Sequence, residues 1–483
     1  MEDSSLRRNE RKRIAIIGGG VSSLMVLESL SKKICKITAK PEITIFEKNT
    51  LLGRGLAYRT NVKSLILNTT IDTMSVCEYD KLDFYLWLQR SHKKESESNE
   101  IPRGVYGEYL EEKMSICLQK LSSLGCIVRK IKAEVKSVFV GNKYTLSFPG
   151  YSEEFDICIV ATGAQVSTPD SIEDSVKDRL LSIFDEEKLS SIEEFSRIGI
   201  LGSGQSAIDA CIMLESYGLR GNYTLISRSG VLPRVKSTFI GENLMGVLNR
   251  LNIKNSSLIA LCNEMLDSIK WKARQTGVIE LTPASFRSME VDLKRASRKQ
   301  PSWQKIMIEI TPFINELWSF RTDCEKRDFN NTWQKSMYYL RSAIMPESAN
   351  RFLKIYKSGR IGMIWGNYKI TFKDNIFQVS ANNSLLNFDY VINTTGVKAY
   401  AHLKLFDEAI KSGAVAINEQ RGFRVEFESM SILNSSGNKN NGLYSLGYPT
   451  QGSVLISNSV ELLRQKAVKI ANKITENLEQ GQL

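Results

Sequence analysis

The 483-residue chain is 42% hydrophobic and 24% charged, an ordinary globular composition that excludes a disordered or fibrous protein and leaves room for about two to four domains. Its net charge is +12, with basic clusters at Arg7, Arg8, Arg11, Lys12 and Arg13 and at Lys294, Arg295, Arg298 and Lys299. No nucleic-acid module accompanies them, so the charge reads as solvated surface and a field favouring anionic phosphates and substrates, with no nucleic-acid partner.

Two histidines, His92 and His402, are too few for a histidine-rich metal site, and no metal is expected. None of the eight cysteines (Cys35, Cys77, Cys117, Cys126, Cys158, Cys211, Cys262, Cys324) lies in a C-x-x-C pair, which argues against a zinc knuckle or a dithiol redox motif. Arg11-Lys12-Arg13 followed by Ile14 to Leu27 imitates a signal peptide, but Gly18-Gly19-Gly20 interrupts the apolar run. No stretch has the apolar length of a membrane span, and a cytoplasmic protein is expected.

In chain order, Arg13 to Ile17 reads as a strand, Val21 to Leu30 as a helix and Ile43 to Phe46 as a second strand, together a βαβ unit. Residues 91–100 read as a polar loop, and the alternating stretch 127–148, broken by Gly141-Asn142, as a hairpin. Ile157 to Val160 returns to the sheet, and an acidic connector from Asp185 to Phe195 leads to a second βαβ unit starting at Arg197 to Leu201. Residues 255–357 are glycine-poor and predominantly helical in pattern, with Trp333, Tyr338, Tyr339 and Arg341 as candidates for a substrate wall. Strands resume at Gly362 to Trp365 and run to Tyr390 to Ile392; a polar loop spans Asn434 to Asn441, and an amphipathic helix is expected over Val454 to Ile474.

The chemistry lies in the turns. Gly18-Gly19-Gly20-Val21-Ser22-Ser23 is a G-x-G-x-x-S between strand and helix: the glycines permit a tight turn and close approach of backbone amides to a pyrophosphate, and the helix N-terminus faces that anion. Ser23 is small enough for the helix–sheet contact usually made by a third glycine, and Glu47 closes the second strand where a carboxylate accepts from ribose hydroxyls. Gly202-Ser203-Gly204-Gln205-Ser206-Ala207 repeats the logic, but its second strand ends in Ser227-Arg228-Ser229 without a carboxylate, a combination suited to the 2′-phosphate of NADPH. An empty, vestigial second half is the alternative. Val160-Ala161-Thr162-Gly163 and Asn393-Thr394-Thr395-Gly396 are near-copies, each ending an apolar strand preceded by an aspartate, Asp156 or Asp389.

This set resembles the two-dinucleotide-binding-domain flavoproteins along almost the whole chain, and Leu443 to Gly447 followed by Gly452 is similar to their final flavin motif. A narrower series occurs in order: Gly53-Arg54-Gly55-Leu56-Ala57-Tyr58, Leu67-Asn68, Met74-Ser75, Phe84 with Trp87-Leu88, Pro102-Arg103, and Tyr106 to Leu110. With Ser227 to Arg234 it resembles the bacterial FAD–NAD(P)-binding family related to flavin-dependent N-hydroxylating monooxygenases. The resemblance implies that Arg54, Asn68 and Arg103 line the flavin site, whereas Phe84 and Trp87 read as core. Gly204 to Ala207 is similar to the NADPH turn of ornithine and lysine N-hydroxylases; the F-x-G-x-x-x-H fingerprint of Baeyer–Villiger monooxygenases is absent between Gly163 and Ile198.

The expected fold is therefore α/β, with two Rossmann-like dinucleotide-binding domains and a mostly helical insertion. The FAD-binding part is expected over 1–190 and 385–483, the NADPH-binding part over 196–254 and 358–384, and the insertion over 255–357. The resemblance implies an FAD- and NADPH-dependent monooxygenase that hydroxylates an amine or amino acid with O₂ through a C4a-hydroperoxyflavin. A flavin reductase serving another acceptor and a non-catalytic dinucleotide sensor stand as alternatives; substrate and oligomeric state are not legible.

Overall fold

The computed structural model describes residues 11–98, 100–166, 168, 172–236, 267, 285–298, 311–334, 341–381, 384–398 and 401–480. The chain forms two compact units, Met1–Arg59 with Thr70–Gln165 and Lys398–Leu483, and Thr60–Thr69 with Val166–Val397.

The first unit is built on β1 (Arg13–Ile17), whose four residues from Ile14 onward are all buried. It pairs in parallel with β2 (Glu42–Phe46) on one side and β7 (Ile157–Val160) on the other. Such strands carry continuous apolar runs because both sheet faces are covered. The sheet continues outward through β3 (Ile127–Ile131) beyond β2 and, beyond β7, through Lys439–Ser445 and then Ser431–Leu433. Helix α1 (Val21–Lys33) covers the sheet and packs against Arg103–Ser123 and the C-terminal helix Val460–Gln480. Leu24, Leu27 and Leu30 of α1 are fully buried, each contributing roughly 2 kcal/mol relative to exposure.

Three expectations need correction here. Ile127–Ile131 is no hairpin arm: it pairs in parallel with β2, from Glu42↔Ile127 to Phe46↔Ile131. The antiparallel strands are β4 (Ser137–Val140), β5 (Tyr144–Phe148) and β6 (Tyr151–Phe155). The last helix starts at Val460, not Val454. The polar stretch 91–100 holds the end of one helix, Asp83–Ser91, and a four-residue helix, Lys93–Ser96.

The second unit repeats the plan. β8 (Ile198–Leu201) lies between β9 (Tyr223–Ser227) and β11 (Tyr390–Asn393), with β10 (Ile361–Trp365) beyond β9 and the two-residue strand Leu181–Ser182 beyond β11, all parallel. Helix α2 (Gln205–Ser216) follows β8. A three-stranded antiparallel sheet of Tyr368–Lys373, Ile376–Ala381 and Ser384–Phe388 stands apart from it. Its first turn is made by Asp374 and Asn375, at φ +51° and +62°, the left-handed pair that a two-residue hairpin requires and that Asp and Asn tolerate.

Because Tyr390–Asn393 pairs with β8, the second unit extends to Val397, past the expected boundary at 384, and it also takes in residues 60–69 and 166–195. Of the expected insertion, the structure describes the helices Phe286–Ser297, Ile314–Ser319, Asp323–Thr332 and Pro346–Lys357. Tyr338 and Tyr339 lie outside the described residues, as do Cys262, Lys299, Arg7 and Arg8. Among the described residues no helix is long and apolar enough to cross a membrane.

His402 is fully buried against Phe423, ring centroids 4.5 Å apart. Its Nε2 lies 2.8 Å from the Arg421 carbonyl oxygen, so Nε2 carries the proton and Nδ1 is left bare. Burial pushes its pKa down to about 4. The ring is neutral when folded and protonates more readily when unfolded, so its contribution is complete above about pH 6.5 and lost as pH falls towards 4. Unfolding in denaturant should show about 2 kcal/mol lost between pH 7 and pH 5 from this group. His402→Gln should flatten that part of the profile; an unchanged slope would assign it elsewhere.

Candidate functional site: two matched glycine turns

The two central strands end in turns of the same construction. Gly18 sits at φ +104° and Gly202 at φ +117°, a region that only glycine enters cheaply. Each turn is tied to the neighbouring strand, Gly18 N to the Phe46 carbonyl at 2.8 Å and Gly202 N to the Ile226 carbonyl at 2.7 Å. A Cβ on Gly18 would lie 2.4 Å from the Ala161 carbonyl oxygen, and one on Gly202 2.9 Å from Thr394 Oγ1. The near-copied strand ends at 160–163 and 393–396 are thus what each turn packs against.

The aspartates preceding those strands clamp the start of the central strand. Asp156 Oδ2 accepts from Arg13 N at 2.8 Å, and Asp389 Oδ2 from Arg197 N at 2.7 Å. The Arg197 guanidinium holds the Asp389 carboxyl below its usual range. Gly163 (φ +68°) and Gly396 (φ +112°) follow, with nothing within 4 Å of where a Cβ would stand.

Helices α1 and α2 start on Gly20 and Gly204, both extended (ψ −164°), with neither a side-chain cap nor an acidic residue in the first turn. Their first amides are therefore not claimed by the helices' own side chains, the arrangement in which a phosphate is bound. A Cβ on Gly20 would meet only Gly55, at 3.4 and 3.8 Å, so the chain itself does not need glycine there. That space fits a ligand's approach.

Around the first turn, Glu47 Oε2 accepts from Gly19 N at 2.8 Å, while Oε1 takes Asn49 N and Nδ2 at 2.9 and 2.7 Å. Carboxylate oxygens have further lone pairs for ribose hydroxyls. The Gly53-Arg54-Gly55 segment is laid against the turn by Gly53 N donating to the Gly19 carbonyl at 2.7 Å. Arg54 pairs with Glu111 at 2.8 Å, yet Arg54 Nε and Glu111 Oε1 are buried without a partner among the described residues, as is Thr162 Oγ1. Unpaired buried polar atoms are costly, and these three have capacity left for a further partner. Arg103 opens the helix Arg103–Ser123 near Tyr58, whose phenol is pushed up to about 12 by loss of water, against the pull of Arg103.

Gly447 arrives at the start of α1: Leu446 N donates to the Val160 carbonyl at 3.1 Å, and a Cβ on Gly447 would stand 3.1 Å from Ser22 Oγ. Gly452 (φ +86°) has a structural reason, since a Cβ would strike Asn418, whose Nδ2 holds the Gln451 carbonyl at 2.7 Å. Ser23 is buried, and its hydroxyl turns back to the Gly18 carbonyl. Phe84 and Trp87 are core residues, packed with Tyr106 and Tyr109.

Around the second turn, Ser227 is also turned inward: its Oγ accepts from Ser203 Oγ at 2.9 Å and from Ser229 N and Gly230 N at 3.3 Å. Arg228 is exposed. Arg234 is committed to Asp292 at 2.8 Å, both side chains 9% exposed, and so fixes the segment after β9. Ser206 is half-buried and Ala207 buried on the first turn of α2. Gln205 Nε2 donates to the Ala343 carbonyl at 3.0 Å.

Asn68 belongs to the second unit: its Nδ2 lies 3.5 Å from Gln205 Oε1, and its carbonyl accepts from Lys236 Nζ. Lys236 carried no sequence signal. Burial, with the nearby Arg341 charge, pushes its ammonium down to about 8. Arg341 is half-buried, whereas Trp333 lies at the end of the helix Asp323–Thr332.

Residues 15–165 match the family model described as FAD-NAD(P)-binding. No curated protein matches the chain. Among solved structures, the chain is similar to the FAD-bound cadaverine monooxygenase of desferrioxamine biosynthesis from Erwinia amylovora, at 14% identity over 97% of this chain and 95% of that one, TM-score 0.62. It is similar to the ornithine N-hydroxylase of Kutzneria sp. 744 at 11% identity over 98% and 100%, TM-score 0.59. The bacillithiol disulfide reductase of Staphylococcus aureus follows at 15% identity over 97% and 99%, TM-score 0.52. The fold is that of the two-dinucleotide-binding-domain flavoproteins.

Proposed function

We propose that the chain is an FAD-containing, NADPH-dependent monooxygenase that hydroxylates a small amine or amino acid. The observation that carries the dinucleotide reading is the pair of matched turns, one per unit, each leading into a helix with no side-chain cap and no acidic residue in its first turn. FAD would be held by the Gly18–Gly20 turn, Glu47, Arg54, Arg103, Thr162, Gly163 and Gly447; NADPH by Gly202, Gly204 to Ala207 and Arg228. Bound FAD would supply hydride acceptance from NADPH and oxygen activation, while the chain binds, orients and excludes water.

Two features favour monooxygenase over disulfide reductase. The N-hydroxylating structures match at TM-scores of 0.59 and 0.62, against 0.52 for the disulfide reductase. Burial also pushes the Cys77, Cys117, Cys158 and Cys211 thiols up, which makes them poor nucleophiles, and the exposed Cys35 and Cys324 each stand outside any C-x-x-C pair.

The test is NADPH oxidation and O₂ uptake under ¹⁸O₂ with a panel of diamines and basic amino acids. One labelled oxygen atom in a hydroxylamine product, with one NADPH consumed per product, is expected. Stoichiometric reduction of a quinone or disulfide, with no label in any product, would make the chain a reductase; no turnover with any acceptor would favour a dinucleotide sensor.

A further inference from the structure

In a parallel dinucleotide-binding sheet the ligand lies outside the carboxyl ends of the strands, and the residue closing the second strand reads the adenosine ribose. Here that second strand is β9, ending at Ser227 just before Arg228, and its outer neighbour β10 ends level with it, Ser227 pairing with Trp365. Trp365, at the end of this edge strand, is 55% exposed. Its ring lies against the turn after Arg228: a Cβ on Gly230 would stand 3.0 to 3.2 Å from three atoms of the tryptophan. Gly230 (φ +64°) therefore serves both the backbone and the indole.

The strand end is pinned by Gly366 N donating to the Ser227 carbonyl at 3.0 Å. Arg228, which is exposed, directly follows Ser227, the residue paired with Trp365. An exposed arginine and an exposed tryptophan thus end two neighbouring strands where the adenosine end of a dinucleotide belongs. A guanidinium plane and an indole face are both surfaces on which a purine stacks.

We infer that Trp365 is the platform for the adenine of the second nucleotide, with Gly230 kept small so that the indole can lie over the turn and Arg228 left to the 2′-phosphate. The inference rests on the second turn binding an adenine dinucleotide, and it adds a specificity residue absent from the turn motif.

Binding of 2′,5′-ADP and 5′-AMP to the flavin-loaded full chain, measured by calorimetry, tests it. Trp365→Ala should weaken both ligands about tenfold, the loss of one stacked base. Trp365→Phe should retain most of the affinity, and Arg228→Ala should weaken 2′,5′-ADP alone. Circular dichroism and flavin absorbance report whether each variant is folded. Unchanged binding by Trp365→Ala, or an equal loss in the Phe variant, overturns the platform while leaving the nucleotide site intact. Failure of the unmodified chain to bind either ligand removes the site itself, and the platform with it.

Discussion

Gly20→Val is expected to give a colourless protein, with flavin absorbance near 450 nm below about a tenth of that of the unmodified chain, because branched carbons would fill the approach to the first helix amides. The contrast with Gly18 makes the result interpretable. A Cβ on Gly18 strikes the Ala161 carbonyl at 2.4 Å and sits at φ +104°, so substitution there damages the fold. At Gly20 the first added carbon meets only Gly55 Cα at 3.4 Å and Gly55 N at 3.8 Å. Gly20→Ala should therefore fold normally and already lose affinity for FAD. Full flavin occupancy in the folded Val variant would place the flavin elsewhere.

Arg228→Ala should weaken NADPH by one to two decades and leave NADH nearly unchanged. Charge-assisted hydrogen bonds to a phosphate contribute about 1.5–3 kcal/mol, roughly ten- to hundredfold in affinity. The other basic residue of the segment, Arg234, is spent on Asp292, and Ser227 on Ser203 and the following amides, which makes the exposed Arg228 the charged residue proposed to read the 2′-phosphate. Equal loss for both cofactors, in stopped-flow flavin reduction, would show that Arg228 does not read the 2′-phosphate.

What the chain alone determined is local. Ile14 to Ile17, Ile157 to Val160 and Ile198 to Leu201 are uninterrupted apolar runs, and a strand buried on both faces needs nothing more. The glycine turns are equally legible, since positive φ and close backbone approach demand glycine at Gly18 and Gly202 wherever they occur. Asp156 and Asp389 announced the two crossing strands, and the structure shows why: each carboxylate accepts from a backbone amide at the start of its central strand, Arg13 N or Arg197 N.

Tertiary structure decided what depends on pairing across long separations. Ile127–Ile131 alternates like a hairpin arm, but edge pairing with β2 makes it a parallel strand. Asn68 follows the Gly53-Arg54-Gly55 segment of the first unit in sequence but lies close in space to Gln205, because residues 60–69 fold with the second unit. Ser23 and Ser227 have hydroxyls suited to a ligand, and the fold turns both inward. Trp365 and Lys236 could not be singled out by pattern: one sits at the end of a strand whose neighbour lies well over a hundred residues earlier, and the other is made unusual by burial and by Arg341. Periodicity encodes which face of an element is covered; which partner covers it is settled only when the whole chain closes.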